Sequence, residues 1–360
     1  MKILHVLNGL GGGGAEAFAI NTVYALEENN VEIDFLIRSD INNIYMNEVI
    51  NRNSKVFIAP SFPRNFIGNY LYMKKFFESK NFNYDVIHIH ANALVYMLPL
   101  RLSIKKDVKV ILHSHNTQSK SKLSLLIHKL NKKNLDETRI ISLACSDDAG
   151  KWMFNKEYEV VNNGINLKKF VYNNEKRQDL REKLNVSDMD VVIGNVGRLT
   201  NQKNHFFLID IFKKILATNN NYKLLLVGNG ELENSIKEYI DDERLNNNII
   251  MTGAITDVQD MYQVMDVFVL PSLYEGLPVA LIEAQAAGLD SVVSIEAVGS
   301  EADLIGKMHY LSLNENHEKW SEKIIEVATN KSRNVDINII ENKGYGLVRL
   351  KERLALIYSK

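Results

Sequence analysis

From end to end, the chain alternates short runs of consecutive apolar residues with longer stretches whose apolar residues recur every three or four positions. KILHVLN, DVIHIHA, KVILHSH, DVVIGNVGR, KLLLVGNG, IIMTGA and DVFVLPS are too short for helices and apolar on both sides, the pattern of strands covered on two faces. Strands alternating with amphipathic helices build parallel sheets with helical crossovers. A length of 360 residues exceeds what one core usually fills, and the pattern begins twice, at KILHVLN and at DVVIGNVGR. Two doubly wound α/β domains are therefore expected, joined between Val160 and Lys169, where VVNNGINLKK supplies Asn and Gly turn chemistry. The helix from Ala15 follows the first strand, and GLVRLKERLALIYSK at the end sets Leu347, Leu350, Leu354 and Ile357 on one helical face.

Residues 271–288, PSLYEGLPVALIEAQAAG, combine a strand end, a Gly-Leu-Pro turn and a helix start. Pro278 suits the first helical turn, where its missing N–H costs nothing. Glu275 then lies in the loop and Glu283 in the helix. Eight residues at about 1.5 Å each span roughly 12 Å at most, enough to put one carboxylate near a sugar and the other near a ribose. The amides of Gly276 and Leu277, close to the positive end of the helix dipole, suit polarised hydroxyls.

Apolar content of 46% and charged content of 24% are those of a soluble globular chain. The single Cys145 excludes a disulfide framework and fits a reducing cytosol. The N-terminal MKILHVLNGLGGGG is too short in its apolar core for a signal peptide, and no run approaches a membrane span, so a cytoplasmic location is expected. Net charge is −1, but residues 52–133 hold 15 Lys or Arg against three acids. Such segregation attracts an anionic surface. Within it, SKSKLSLLIHKLNKK spaces Leu123, Leu126, Ile127 and Leu130 helically beside Lys120, Lys122, Lys129, Lys132 and Lys133, the make-up of an interfacial helix at the inner face of the plasma membrane. A helix packed on its own domain explains the spacing equally well. Aromatics do not interleave with the basic residues, which argues against nucleic acid.

Four further features need weighing. Arg198 follows a buried strand in GRLTNQKN, with Lys203 five residues on; both are phosphate-binding types. The turn Gly9 to Gly14 formally contains G-x-G-x-x-G, with Asp34 about 20 residues beyond, so a dinucleotide-dependent dehydrogenase is an alternative, though no other dehydrogenase feature follows. His113 and His115 alternate on KVILHSH, with one expected to face the opposite way, and HIHA carries His88 and His90. These pairs lack an accompanying carboxylate cluster or Cys, so no metal is assigned to them. Asp188-Met189-Asp190 is a D-x-D triplet in a polar stretch, read as a surface loop.

Taken together, PSLYEGLPVALIEAQAAG and GRLTNQKN resemble the signatures of family 4 glycosyltransferases, and the resemblance covers nearly the whole chain. It departs after Gly288, where Asp290 replaces the usual Pro. The resemblance implies the GT-B fold, two facing Rossmann-like domains with a central cleft: residues 1–164 binding the acceptor, 165–343 binding the nucleotide-sugar, and 344–360 a helix returning to the first domain. It implies a retaining transfer from a UDP-sugar to a hydroxyl, with no metal and no cofactor beyond that donor. By position, Glu275, Gly276 and Leu277 contact the sugar, Glu283 the ribose, Arg198 and Lys203 the diphosphate, and Gly253 lies by the base. His115 faces the sugar, and Gly13 and Gly14 approach the donor phosphate and the acceptor. The motifs look most like enzymes of bacterial capsule or exopolysaccharide synthesis, which suggests a glycan or lipid-linked acceptor. A GT-B isomerase or phosphorylase, or a non-catalytic nucleotide-sugar-binding subunit, stays open.

Overall fold

The computed structural model describes residues 1–11, 13–27, 30–38, 43–118, 121–276 and 278–359. The chain divides into two compact units, one of residues 1–164 with 344–360 and the other of residues 165–343. In the first, strands β1 (Lys2–Val6), β2 (Glu32–Ile37), β3 (Val56–Ile58), β4 (Val86–Ala91), β5 (Lys109–Ser114), β6 (Ile141–Ala144) and β7 (Glu159–Val160) form a parallel sheet in the order 3-2-1-4-5-6-7. The strands are nearly continuous apolar runs because helices cover both faces. On one face Ile3, Phe35, Ile37, Val86 and Ile111 pack with Phe18 and Ile20 of the helix Gly14–Leu26 and with Leu350, Leu354, Ile357 and Tyr358 of the last helix, Leu347–Ser359. Leu4, Val6, Leu36, Ile87, Ile89 and Leu112 pack on the other face with Met73 and Phe77. Gly164 is required where the chain leaves the unit: a β-carbon there would meet the Gly346 carbonyl at 2.6 Å and Leu350 Cβ at 2.8 Å.

The second unit holds β8 (Val191–Val196), β9 (Tyr222–Val227), β10 (Ile249–Gly253), β11 (Val267–Leu270), β12 (Ser291–Ser294) and β13 (Met308–Leu311), parallel in the order 10-9-8-11-12-13. Among the described residues no helix is long and apolar enough to cross a membrane.

Candidate functional site

In the second unit the loops after β8, β9 and β10 meet. Gly228, at φ +132°, has a backbone conformation open to glycine, and a β-carbon there would lie 2.1 Å from the Gly197 carbonyl. One at Gly230 would lie 2.3 Å from the Leu199 carbonyl. The Leu199 amide bonds the Asn229 carbonyl at 2.9 Å, and Gly228 pairs with Gly253. The Gly-Asn-Gly after β9 thus holds the β8 loop in place, a role that sequence reading missed although the glycines after a strand signalled it.

That loop presents Arg198, exposed and with no side-chain partner among the described residues. A short 3₁₀ turn, Asn201–Lys203, and Asn204 in the left-handed region lead into the helix His205–Thr218. This turn is stitched to the loop after β11. Lys203 Nζ lies 2.7 Å from Glu275 Oε1, with side chains only 13% and 7% exposed. The Gln202 amide nitrogen donates to Glu275 Oε2 at 3.2 Å and to the Tyr274 carbonyl at 2.8 Å. Both Glu275 oxygens are therefore engaged.

Glu283 lies in the helix Val279–Ala286, partly buried, and its Oε2 accepts from the Tyr262 hydroxyl at 2.7 Å. Burial pushes its carboxyl up to about 7, against the opposing pull of that hydrogen bond. A partly desolvated carboxylate is poised to accept hydroxyl donors. Pro278 is the cap before this helix rather than part of its first turn, because its ψ of 96° is extended. Gly276 is exposed ahead of that cap, and Leu277 lies outside the described residues.

The first unit holds the remaining candidates, and the structure departs from expectation at one pair of them, His113 and His115. Gly13 caps the helix Gly14–Leu26 and Gly14 is its first residue; neither has a positive φ. His113 and His115 were expected to face opposite ways, but they lie on one face with ring centroids 4.1 Å apart. The reason is that side chains alternate with a period of two, so residues i and i+2 point together. His115 is half-buried just past β5, bonded to His90 at 2.8 Å, and burial holds its ring at a pKa of about 3. Asp34, the acid a dinucleotide site would use, is buried within β2 and takes bonds from Tyr84 Oη at 2.8 Å and the Lys55 amide at 2.9 Å, with Lys2 at 3.3 Å. That removes the dehydrogenase alternative. The D-x-D triplet precedes β8, at the sheet end opposite Arg198, and Asp190 is spent on the Ser187 amide at 2.7 Å.

The basic stretch contains two outward-facing apolar stripes. On the helix Lys122–Lys133, Leu123, Leu126 and Leu130 are 56–68% exposed, while His128 turns inward and stacks on Trp152 at 4.0 Å. Lys132 is diverted from the surface role predicted for it, donating to the Lys151 and Trp152 carbonyls at 2.6 and 3.0 Å. The helix Phe66–Glu78, unnoticed in the sequence, exposes Phe66, Ile67, Tyr70 and Leu71 beside Lys74 and Lys75. Both helices flank one loop: Tyr96 Oη bonds Asn69 and the Asn131 amide bonds the Leu94 carbonyl, each at 2.6 Å.

Two Rossmann-like parallel-sheet units, one carrying these loops at its strand ends, make up the GT-B fold. Residues 12–169 match the family model Glycosyltransferase Family 4 and residues 176–343 match Glycosyl transferases group 1, and the chain belongs to this family of glycosyltransferases. It is 29% identical over 344 residues to glycosyltransferase EpsF of Bacillus subtilis, covering 91% of this chain and 88% of that one. An Escherichia coli UDP-Gal:alpha-D-GlcNAc-diphosphoundecaprenol alpha-1,3-galactosyltransferase is 32% identical over 234 residues, 60% of this chain and 59% of its own. The crystal structure of Anabaena HepE with UDP-glucose superposes with a TM-score of 0.77 at 17% identity, over 100% of this chain and 99% of that one.

Proposed function

We propose that this glycosyltransferase moves a sugar from a UDP-sugar to a hydroxyl of a lipid-linked glycan in cell-surface polysaccharide synthesis, with retention of configuration. The observation that carries the reading is that Arg198 and Lys203 follow β8 while Glu275 and Glu283 follow the adjacent β11, all beyond the carboxyl ends of strands of one parallel sheet, where ligands of such sheets bind. The E. coli relative's UDP-Gal donor and diphosphoundecaprenol-linked acceptor support the donor and acceptor classes.

Each residue then has a separate task. Glu283 accepts the ribose hydroxyls, and the base lies by Gly253. Arg198, with no side-chain partner among the described residues, and Lys203 neutralise the diphosphate, so the donor needs no metal. Glu275, Gly276 and Leu277 hold the sugar, His115 contacts it, and Gly13 and Gly14 approach phosphate and acceptor. As the bond from the anomeric carbon to the β-phosphate oxygen breaks, negative charge grows on UDP, and fixed positive groups stabilise it most at that moment. The acceptor oxygen bonds to the same face of the anomeric carbon, and its proton passes to the departing phosphate oxygen. Glu275 is not a nucleophile in this scheme, because its two oxygens are held by Lys203 and Gln202.

The exposed leucines of Lys122–Lys133 and the aromatics of Phe66–Glu78, rimmed by Lys74, Lys75, Lys122, Lys129 and Lys133, form the face that meets an anionic membrane. The protein acts there from the cytoplasmic side and has no nucleic-acid partner. The test is a transfer assay following UDP release, after a thermal-shift screen of nucleotide-sugars. Arg198→Ala and Glu283→Ala should each abolish most turnover in folded protein, and wild-type rates in both would defeat the assignment. Binding of UDP-sugar with no turnover on any acceptor would instead mark a non-catalytic subunit.

A further inference from the structure

Five imidazoles gather on one face of the first sheet, toward the carboxyl ends of β1, β4 and β5. Strand register brings them together: His5 stands opposite His88, and His90 opposite His113. His115 joins them as the residue two beyond His113. Phe18 packs edge-on against these rings, 4.5 Å from His113. His5, His88 and His113 are fully buried and His90 nearly so.

The rings are linked in two rows. His5 Nδ1 lies 2.7 Å from His90 Nε2, and His90 Nδ1 lies 2.8 Å from His115 Nε2. In the second row the Tyr358 hydroxyl is 2.8 Å from His88 Nδ1, and His88 Nε2 is 3.2 Å from His113 Nδ1. A neutral imidazole has one N–H and one lone pair. In the row of three, two bridges use two of each, so one N–H and one lone pair are left over at the ends, His5 Nε2 and His115 Nδ1. Neither end has a partner among the described residues, and neither does His113 Nε2.

We propose that His90, His113 and His115 bind a divalent transition metal. Donor nitrogens of these three rings lie within 4.8 Å of one another. A tetrahedral ion bonded at about 2.0–2.1 Å needs them roughly 3.3 Å apart, so modest ring rotations suffice. The remaining rings supply the outer support such sites use. His90 keeps its Nε2 bond to His5 and offers Nδ1; His113 keeps its Nδ1 bond to His88, itself held by Tyr358, and offers the unpartnered Nε2. His115 is the least buried of the three. An all-imidazole set selects Zn²⁺, Co²⁺, Ni²⁺ or Cu²⁺ over Mg²⁺ or Ca²⁺. A second trio, His5, His88 and His90, meets the same distance limit but has no exposed member.

The test is Co²⁺ binding to the full chain after chelator treatment, read by equilibrium dialysis and by visible absorption, with folding checked by circular dichroism. One Co²⁺ per chain is expected, with the intense bands of a four-coordinate site. His115→Ala, a change at a half-exposed position, and His90→Gln should each weaken binding by about 100-fold or more, and His5→Asn by about 10- to 100-fold, as for loss of an outer partner. His317→Ala, in the other unit, should bind as wild type. Failure to retain one Co²⁺, or wild-type retention in folded His115→Ala, would overturn the proposal. Neither readout involves a sugar, so it stands or falls apart from the transferase reading.

Discussion

Replacing Glu283 by Gln should separate the cost of burying this carboxyl from its use in the proposed binding. Burial raises this carboxyl from an ordinary 4.5 to about 7. Between those values the folded protein holds a proton that the unfolded chain has released. The stability this group contributes is thus full below pH 4.5 and is lost as pH rises through 7. At about 1.4 kcal/mol per pH unit, the 2.5-unit gap amounts to roughly 3 kcal/mol by pH 8, an upper bound for a partly solvated group. Gln keeps a carbonyl oxygen for the Tyr262 hydroxyl and does not titrate. Relative to wild type, Glu283→Gln should therefore gain stability steadily from pH 5 to pH 8, by up to about 3 kcal/mol. Trp320, fully buried in the second unit, reports that unit's unfolding by fluorescence once Trp152 of the first unit is replaced by Phe. Denaturant midpoints at four pH values give the curve. UDP binding should meanwhile collapse in the variant, and in wild type near pH 7 it should release protons, because ribose hydroxyls favour the ionised form. A stability difference that stays flat or falls across that range would refute the reasoning.

Other consequences can be measured separately. Lys203→Met leaves Glu275 buried beside no cation and should cost about 3–5 kcal/mol, seen as a lower midpoint, with Lys203→Met/Glu275→Leu recovering much of it. Gly228→Ala meets the Gly197 carbonyl at an unfavourable φ and should destabilise the second unit by at least about 1–3 kcal/mol in thermal melts. Changing Leu123, Leu126 and Leu130 to Ser should weaken sedimentation with anionic vesicles by over tenfold while leaving the melting temperature near wild type, since these side chains contact solvent. Lys132→Ala should act oppositely, lowering stability through lost bonds to the Lys151 and Trp152 carbonyls with little effect on vesicle binding.

Much of the second unit's site was legible because its signals are local. A turn, a proline and a helix start lie within a few residues of Glu275 and Glu283, and Arg198 follows directly on a strand. What escaped the sequence depended on distant partners. Nothing near Lys203 announces that its ammonium meets Glu275 across 72 positions. The exposure of Phe66–Glu78 was invisible because an amphipathic stripe does not say whether its apolar side faces core or solvent; Lys122–Lys133 shows the same ambiguity, settled by His128 turning inward.

The amino-acid order alone determined the alternation of strands and helices, hence two parallel sheets, because burial on both faces demands apolar runs of strand length. It also placed Arg198, Lys203, Glu275 and Glu283 beyond strand ends, where turn chemistry is written locally. Strand register is a tertiary property, and it alone carried His5 to His88 and His90 to His113. Residues separated by 25 to 85 positions became two adjacent hydrogen-bonded rows because parallel pairing, unlike a motif, leaves no trace in sequence spacing.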